Sequence, residues 1–308
     1  MKIGFVGANN LTKHFYNAMP ACNSGVEMAF VDSSLINARA FIKQYDVKYY
    51  ENDMDFLKQV DALILCAHHK NPDELVNKAI RQGKHLLIAN PFLLTYQTLK
   101  QLKNLSEEAG IVIQNAWSEK YNSAFSTASP FINNAVFIDV ARLSQYSPSN
   151  GKISVVNDLL HKDIEWVLSV VKSNIRKISA NALSVVNTEP DFINAKLEFD
   201  NGCIVNLTAS RVSEMNLRKA RIYNDKSVLF IDFLAKQLKR SYKKASFLEF
   251  EDVAVNIVDE AENQLNDFFT SIKESKEPYS ALHHIIEAKD VTSIILEKIL
   301  AKTNLFVA

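Results

Sequence analysis

Apolar positions along the first third of the chain switch between two periods. Short β-rich runs, KIGFVGA, VEMAFVD, ALILCA, HLLIAN and IVIQNA, alternate with helical periodicity that begins near Leu11 and Ser34 and covers 73–82 and 95–109. ALILC and HLLIA are apolar at successive positions, so both faces of those strands need cover, and a parallel sheet with helices on both sides supplies it. With right-handed crossovers, the repeated βαβ order predicts a doubly wound, Rossmann-type sheet over residues 1–115. Gly83 and Gly110 fall just past two predicted helices, where a left-handed cap is needed.

From about Ala116 the pattern changes. A helix is predicted over 158–173, followed by the alternating runs SANALSVV, INAKLEFD, CIVNLTASRV, ARIYND and SVLFIDF, with turn signals at Asp200-Asn201-Gly202 and at 223–226. These predict a second α/β domain over 116–308, built on a largely antiparallel open sheet. One face is backed by the 158–173 helix; the other, carrying Ile, Val and Leu, is left for a second subunit, so a homodimer is expected. Residues 260–302 read as helical with a break near Glu277-Pro278, and the last helix can pack back on the first domain.

Composition narrows the functions. The 308 residues are 47% hydrophobic and 23% charged, and 35 basic residues balance 35 acidic ones. No broad basic face is available for phosphates, which argues against a nucleic-acid partner. No apolar run approaches a membrane span, and the strand-like IGFV after Met1 lacks the features of a secretory signal, so a cytoplasmic protein without a membrane partner is expected. Cys22, Cys66 and Cys203 are odd in number and far apart, and the seven histidines show no ligand spacing; no metal site is expected.

Two stretches carry candidate chemistry. The first strand ends in Gly7-Ala8-Asn9-Asn10-Leu11-Thr12 where a dinucleotide fingerprint has three glycines, and only the first is present. Asn9 is expected to fill space that a phosphate would use, and Thr12 to crowd the helix against the strand. Asp32, at the end of the second strand, is placed to accept from a ribose hydroxyl and to disfavour a 2′-phosphate, so NAD is preferred over NADP. The second stretch is VVNDLLHKDIEWVLSVV, where helical spacing brings Asp158 to His161 and Lys162, and His161 to Glu165. Spacing alone leaves open whether these form a catalytic pair or a charged face.

Taken together, GANNLTKHF, AIRQGKHLLIANP, SEKYNSAF, DLLHKDIEWVLSVVKSN and INAKLEFDNGCIVNLTASR resemble the Gfo/Idh/MocA family of NAD(P)-dependent oxidoreductases, most closely its bacterial sugar-nucleotide members. The resemblance implies an amino-terminal Rossmann domain, a second α/β domain whose sheet often mediates dimerisation, and hydride transfer at a carbon of a sugar or sugar nucleotide. It implies cofactor contacts from Gly7, Asn9, Asn10, Leu11, Asp32, Ala67 and Pro91, and substrate contacts from Glu119, Asn122 and Arg142. The family's Glu-Lys-Pro motif falls on Ala89-Asn90-Pro91, so its catalytic lysine is Asn90 here. Its helical acid and histidine fall on Asp158 and Lys162, with His161 one step off. Pro72 stands where members often carry a cofactor-side histidine. Two functions stay open: an NAD-dependent oxidoreductase with altered catalytic positions, and a non-catalytic relative that binds a nucleotide or sugar, or partners an active paralogue.

Overall fold

The computed structural model describes residues 1–22, 27–31, 35–45, 47–67, 69–116, 118–147 and 154–306. They form two compact units, Met1–Ser118 with Val258–Ile286, and Glu119–Ile257 with Glu287–Ala308.

In the first unit, strands β1 (Lys2–Val6), β2 (Glu27–Val31), β3 (Lys48–Tyr50), β4 (Ala62–Leu65), β5 (His85–Ile88) and β6 (Ile113–Asn115) pair in parallel in the order β3-β2-β1-β4-β5-β6. Alternation sends Val6, Leu63, Leu65, Leu86 and Ile88 to one face and Ile3, Phe5, Phe30, Ile64 and Leu87 to the other. Helices α4 (Pro72–Arg81) and α5 (Tyr96–Ala109) cover the first face through Leu75, Val76, Ile80, Leu99 and Leu102. Helices α1 (Asn10–Cys22) and α2 (Leu35–Gln44) cover the second through Phe15, Met19 and Phe41. Gly110 caps α5 in the left-handed conformation, with φ 63°.

Strand β3 and the short helix α3 (Asp53–Leu57) were not expected from the periodicity; three residues of strand and five of helix are too short to show a period. The unit is also completed from late in the chain. Ala261, Leu265 and Phe268 of α8 (Glu260–Glu274) join the Ile3/Phe5/Phe15 cluster, and Leu282, Ile285 and Ile286 of α9 (Leu282–Phe306) join the other face. The Gln114 amide donates to the Gln264 carbonyl at 2.8 Å, and Asn115 N to Ser280 O at 2.7 Å. A division at 115/116 therefore describes the sheet, whereas the compact unit reclaims 258–286 because its apolar side chains fit the helix layers.

The second unit holds an eight-stranded sheet. Its strands are β7 (Ala135–Gln145), β8 (Ile175–Leu183), β9 (Phe192–Phe199), β10 (Ile204–Ser213), β11 (Leu217–Asn224), β12 (Ser227–Asp232), β13 (Gln237–Lys244) and β14 (Phe247–Val253), in the order β14-β13-β12-β11-β7-β10-β9-β8. All pairs are antiparallel except β7 with β10. Strands β7, β13 and β14 lie outside the expected set. The inner face, with Ile138, Val140, Val205, Leu207 and Ile222, packs on α6 (Ser123–Ala128) and α7 (His161–Val170), and the remainder of α9 adds Val291 and Ile295. The helix expected over 158–173 is a π-helical turn, Val156–Leu160, running into α7.

The outer face differs from its expectation. Instead of an aliphatic patch, the Asn194 amide donates to Asn206 Oδ1 and Thr208 Oγ1, each at 3.0 Å, and the Asn206 amide donates to Asp139 Oδ1 at 3.0 Å. Ile204, Phe137, Tyr223 and Val228 form a separate in-register row beside this polar one. Among the described residues, no helix is long and apolar enough to cross a membrane, and no group of three or more side chains is arranged to hold a metal.

The loop between β8 and β9 is held by one carboxylate. Asp191 Oδ2 accepts from the backbone N–H groups of Val185, Val186 and Asn187 at 2.9, 2.7 and 3.0 Å, and Oδ1 accepts from the Asn187 amide. Burial alone would push this carboxyl up, but the donors outweigh it and bring its pKa down to about 2. Because the folded-state value lies below the unfolded one, the stabilisation is complete above the ordinary carboxylate range and is lost as the pH falls toward about 2. The apparent melting temperature of Asp191→Asn should therefore lie below wild type near neutrality, with the gap closing between pH 4 and pH 2, about the span between the free and the folded carboxyl. A gap independent of pH would contradict this.

Candidate functional site

The turn after β1 is shaped by contact. Gly7 has φ 80°, donates to Val31 O at 2.9 Å, and an added Cβ would lie 2.5 Å from Ala67 Cβ, so no larger residue fits. Asn9 and Thr12 then lock into each other. Asn9 Oδ1 accepts from Thr12 N at 2.9 Å, and Thr12 Oγ1 accepts from Asn9 N at 3.2 Å, the reciprocal arrangement of a capping box. The Thr12 hydroxyl donates to Gly7 O at 2.6 Å and the Asn9 amide donates to Cys66 O at 3.1 Å.

Thr12 thus differs from the steric expectation. Thr12 is fully buried with its hydroxyl bonded, and the Asn9 side chain is turned toward Cys66 and Thr12 without a positive φ. Behind them burial pushes the Cys66 thiol up to about 12. Asn10 is exposed and Leu11 half-buried in the first turn of α1, which carries no acidic residue to offset its positive dipole end. The box takes the N–H groups of Asn9 and Thr12, so a pyrophosphate at this turn would be received by those of Asn10 and Leu11 at the start of α1. Asp32 lies outside the described residues.

A cavity of about 470 Å³ opens beside Val31, lined by Tyr49, Asp53, His69, Lys70 and Asn71 among others, and the buried His69 Nε2 lies 3.1 Å from Asp53 Oδ1. Asn90 is half-buried, and its Oδ1 accepts from Phe92 N at 3.0 Å, capping the 3₁₀ turn Pro91–Leu93; Pro91 is buried in that turn. Asn90 therefore orders the turn, and its amide has no proton to exchange at neutral pH.

In the second unit, Arg142 of β7 and Arg218 of β11 are direct cross-strand partners. Like charges placed so would repel. Glu119, in the 3₁₀ turn Glu119–Tyr121, resolves this: its Oε1 accepts from Arg142 Nη2 and from Arg218 Nη1, each at 3.0 Å. Arg142 also grips Asp163 of α7 with two donors, Nε to Oδ2 at 2.8 Å and Nη2 to Oδ1 at 2.6 Å, and the Trp166 indole donates to Asp163 Oδ1 at 3.2 Å. Below lie the rings of Phe125, Trp166 and Phe233, with Phe125 5.3 Å from Trp166 and Trp166 6.0 Å from Phe233. Burial would push the Glu119 carboxyl up, yet the charges of Arg142, Arg218 and Lys162 hold it below the ordinary range.

Lys162 stands in the first turn of α7 beside Asp163. Burial pulls its ammonium below the ordinary lysine range; Glu119 and Asp158 oppose the shift, and Arg142 and Arg218 reinforce it. His161 is 1% exposed, and burial, with the charges of Lys289 and Lys162, pushes it down to about 3, so its ring is neutral near pH 7. Asp158, in the π-helical turn, lies 3.7 Å from Arg211 of β10. Asn122 is fully buried: Oδ1 caps α6 by accepting from Ala124 N at 3.1 Å, and its amide donates to Phe233 O at 3.1 Å.

Of the expected residues in this unit, Glu119 and Arg142 thus join one cluster with Lys162 in its field, while Asn122 ties the backbone nearby. Asp163 and Arg218 were not singled out from the sequence. Asp163 had a signal in its i,i+3 spacing to Trp166; Arg218 had none, because its place depends on strand register.

Residues 1–116 match the profile of GFO_IDH_MocA, an oxidoreductase family with an NAD-binding Rossmann fold. Residues 1–116, which hold the parallel sheet, are thus similar to this family's NAD-binding domain. Across the Gfo/Idh/MocA relatives, UDP-N-acetylglucosamine 3-dehydrogenase of Acidithiobacillus ferrooxidans is 23% identical over 283 residues, 88% of each chain. Glucose-6-phosphate 3-dehydrogenase of Bacillus subtilis is 21% identical over 40% of this chain and 35% of its own. The solved structure of the Acidithiobacillus enzyme superposes with a TM-score of 0.90 at 19% identity over 98% of both chains. Levoglucosan dehydrogenase in complex with NADH and L-sorbose superposes at 0.86 and 14% identity, over 98% of this chain and 97% of that one. At these identities the superpositions establish a shared fold.

The buried lattice should behave as one unit. Arg142→Met strips the buried Asp163 carboxylate of its guanidinium and leaves Glu119 with Arg218, which is expected to cost roughly 3–5 kcal/mol. Urea unfolding followed by tryptophan fluorescence measures this, since Trp166 donates to the same Asp163 carboxylate. A loss under about 1 kcal/mol, the size of an exposed pair, would mean that the lattice is solvated.

Proposed function

We propose that this chain is a nicotinamide-dependent oxidoreductase that moves a hydride to or from a ring carbon of a phosphorylated sugar or sugar nucleotide. The observation that carries the reading is the turn after β1, where Gly7 keeps its positive φ and Asn9 and Thr12 are folded into a capping box at a helix start with no acidic residue in its first turn. Gly7, Asn10, Leu11 and Ala67 hold the dinucleotide in this reading, with Asp32 on the ribose and NAD preferred over NADP. When bound, the nicotinamide supplies the hydride chemistry. The substrate class is taken from the relatives' names, which specify UDP-N-acetylglucosamine and glucose 6-phosphate.

The proton of the reacting hydroxyl needs a carrier, and Asn90, whose amide caps a turn, does not titrate. Lys162 takes that role: burial and two guanidinium groups favour its neutral amine, which can accept a proton at Nζ and return it in the reverse direction. Glu119 and Arg142 orient the surroundings of Lys162 instead of touching substrate directly. The capping role of Asn90 also favours a second reading, a non-catalytic binder of the same ligands.

Nicotinamide fluorescence titration should show NADH binding more tightly than NADPH, and Gly7→Ala should abolish both. Steady-state assays over sugar phosphates and sugar nucleotides should then show turnover that Lys162→Ala lowers by about 10²- to 10⁴-fold. Binding without turnover on the whole panel would favour the non-catalytic reading. No binding of either dinucleotide would overturn both.

A homodimer through the outer face of the second sheet is part of the proposal. The row Ile204, Phe137, Tyr223 and Val228 offers an apolar strip, and the neighbouring row, with the cross-strand pair Asp139 and Arg221, offers both charges to the same row of a second copy. Light scattering at micromolar concentration should give twice the mass of the chain, and Phe137→Asp with Tyr223→Asp should halve it. A wild-type monomer would rule out this assembly.

A further inference from the structure

Gly7 N donates to Val31 O at 2.9 Å, so the turn after β1 is bonded to the residue beside which the cavity of about 470 Å³ opens. Two further segments line that cavity. Tyr49, Asp53 and Met54 come from β3 and the start of α3, and His69 and Asn71 from the turn after β4. In the sheet, β3 and β4 are separated by β2 and β1, so strand pairing does not set the distance between these segments. Helix α3 is five residues long and too short to hold its place alone. From below it is seated by Phe56 and Leu57, with Phe56 in the space that Gly4 of β1 leaves by having no side chain. At the cavity it is held by His69, which is 4% exposed. His69 Nδ1 accepts from Asn71 N at 3.3 Å, so the ring hydrogen belongs on Nε2, which donates to Asp53 Oδ1 at 3.1 Å.

We propose that His69 and Asp53 form a latch that sets the width of this cavity for the adenosine end of the dinucleotide, as positioning residues that hold α3 against the turn after β4. The proposal rests on the reading of the chain as a dinucleotide binder. Val31 immediately precedes Asp32, to which that reading gives the ribose, so the adenosine end is the part of the ligand placed beside the cavity. A buried polar pair is costlier to place in a wall than an apolar side chain of similar size, and its return is a fixed distance between two segments that the sheet leaves independent. With the latch closed, the ligand meets a preset wall. With it broken, α3 keeps its seat through Phe56 and Leu57, but its first turn must be ordered by the ligand, and that ordering is subtracted from affinity. The adenosine end takes no part in hydride transfer, so the latch strengthens ground state and transition state alike.

The test uses the full chain, with isothermal titration of AMP and ADP-ribose and nicotinamide fluorescence for NADH. His69→Ala and Asp53→Ala should each weaken all three ligands by about fivefold or more. The double variant should bind no more weakly than the weaker single one, because either change breaks the same bond. His69→Gln, which keeps an N–H donor for Asp53, should stay closer to wild type than His69→Ala. Where a substrate is turned over, KM for NADH should rise in the alanine variants with kcat unchanged, whereas a general loss of structure would lower kcat as well. Smaller losses in folded variants, additive losses in the double variant, or a fall in kcat at saturating NADH would overturn the proposal, as would a wild type that binds neither AMP nor ADP-ribose. If His69→Ala fails to fold by circular dichroism, Asp53→Ala, at a half-buried position, decides alone. A wild type that binds ADP-ribose through the latch but turns over nothing would defeat the proposed reaction and leave this inference standing. Turnover with NADH that neither alanine variant disturbs would do the reverse.

Discussion

Glu119 Oε1, accepting from Arg142 and Arg218 at once, is the contact on which the second unit's arrangement turns. Strand register sets the two guanidinium groups opposite each other, and a sheet with that pair uncompensated would repel itself at its centre. The 3₁₀ turn supplies the counter-charge, β7 passes it to α7 through Arg142 and Asp163, and the Trp166 indole closes the chain against the aromatic cluster. A buried ion lattice is weak evidence for stability by itself, because desolvation offsets much of the attraction. Here it ties the 3₁₀ turn, β7 and β11 to the first turn of α7.

The first unit shows how a fingerprint can change without loss of its frame. Within the fingerprint the glycine is required at Gly7, where the positive φ and the approach of Ala67 leave no space for a side chain. At the two other positions, Asn9 and Thr12 exchange hydrogen bonds with each other's backbone and satisfy donors that a glycine loop leaves for a ligand or water. The loop is more ordered by its own side chains, and its dipole end is still unopposed by an acid.

Function is carried by side chains grafted onto a fold. In this chain the frame is complete while Asn90 serves as a cap and His161 is a buried neutral ring. The proposed proton carrier is Lys162, whose proton affinity depends on neighbours from separate elements.

The amino-acid pattern by itself determined the repeated βαβ order, the parallel sheet with two covered faces, the change to alternating strands after the first third, and the helical end of the chain. These follow from local periodicity, since a residue's face is set by its immediate neighbours. It also determined which of Asn90, Asp158 and Lys162 could titrate. Short elements such as β3, and the strands β7, β13 and β14, had too little periodic contrast to stand out. Only the tertiary structure decided that Asn9 and Thr12 turn inward, that α8 returns to the first unit, that the outer sheet face is partly polar, and that Arg218 faces Arg142. Each of these depends on strand register or on contacts between distant segments, where a shift of one residue reverses which side chains meet.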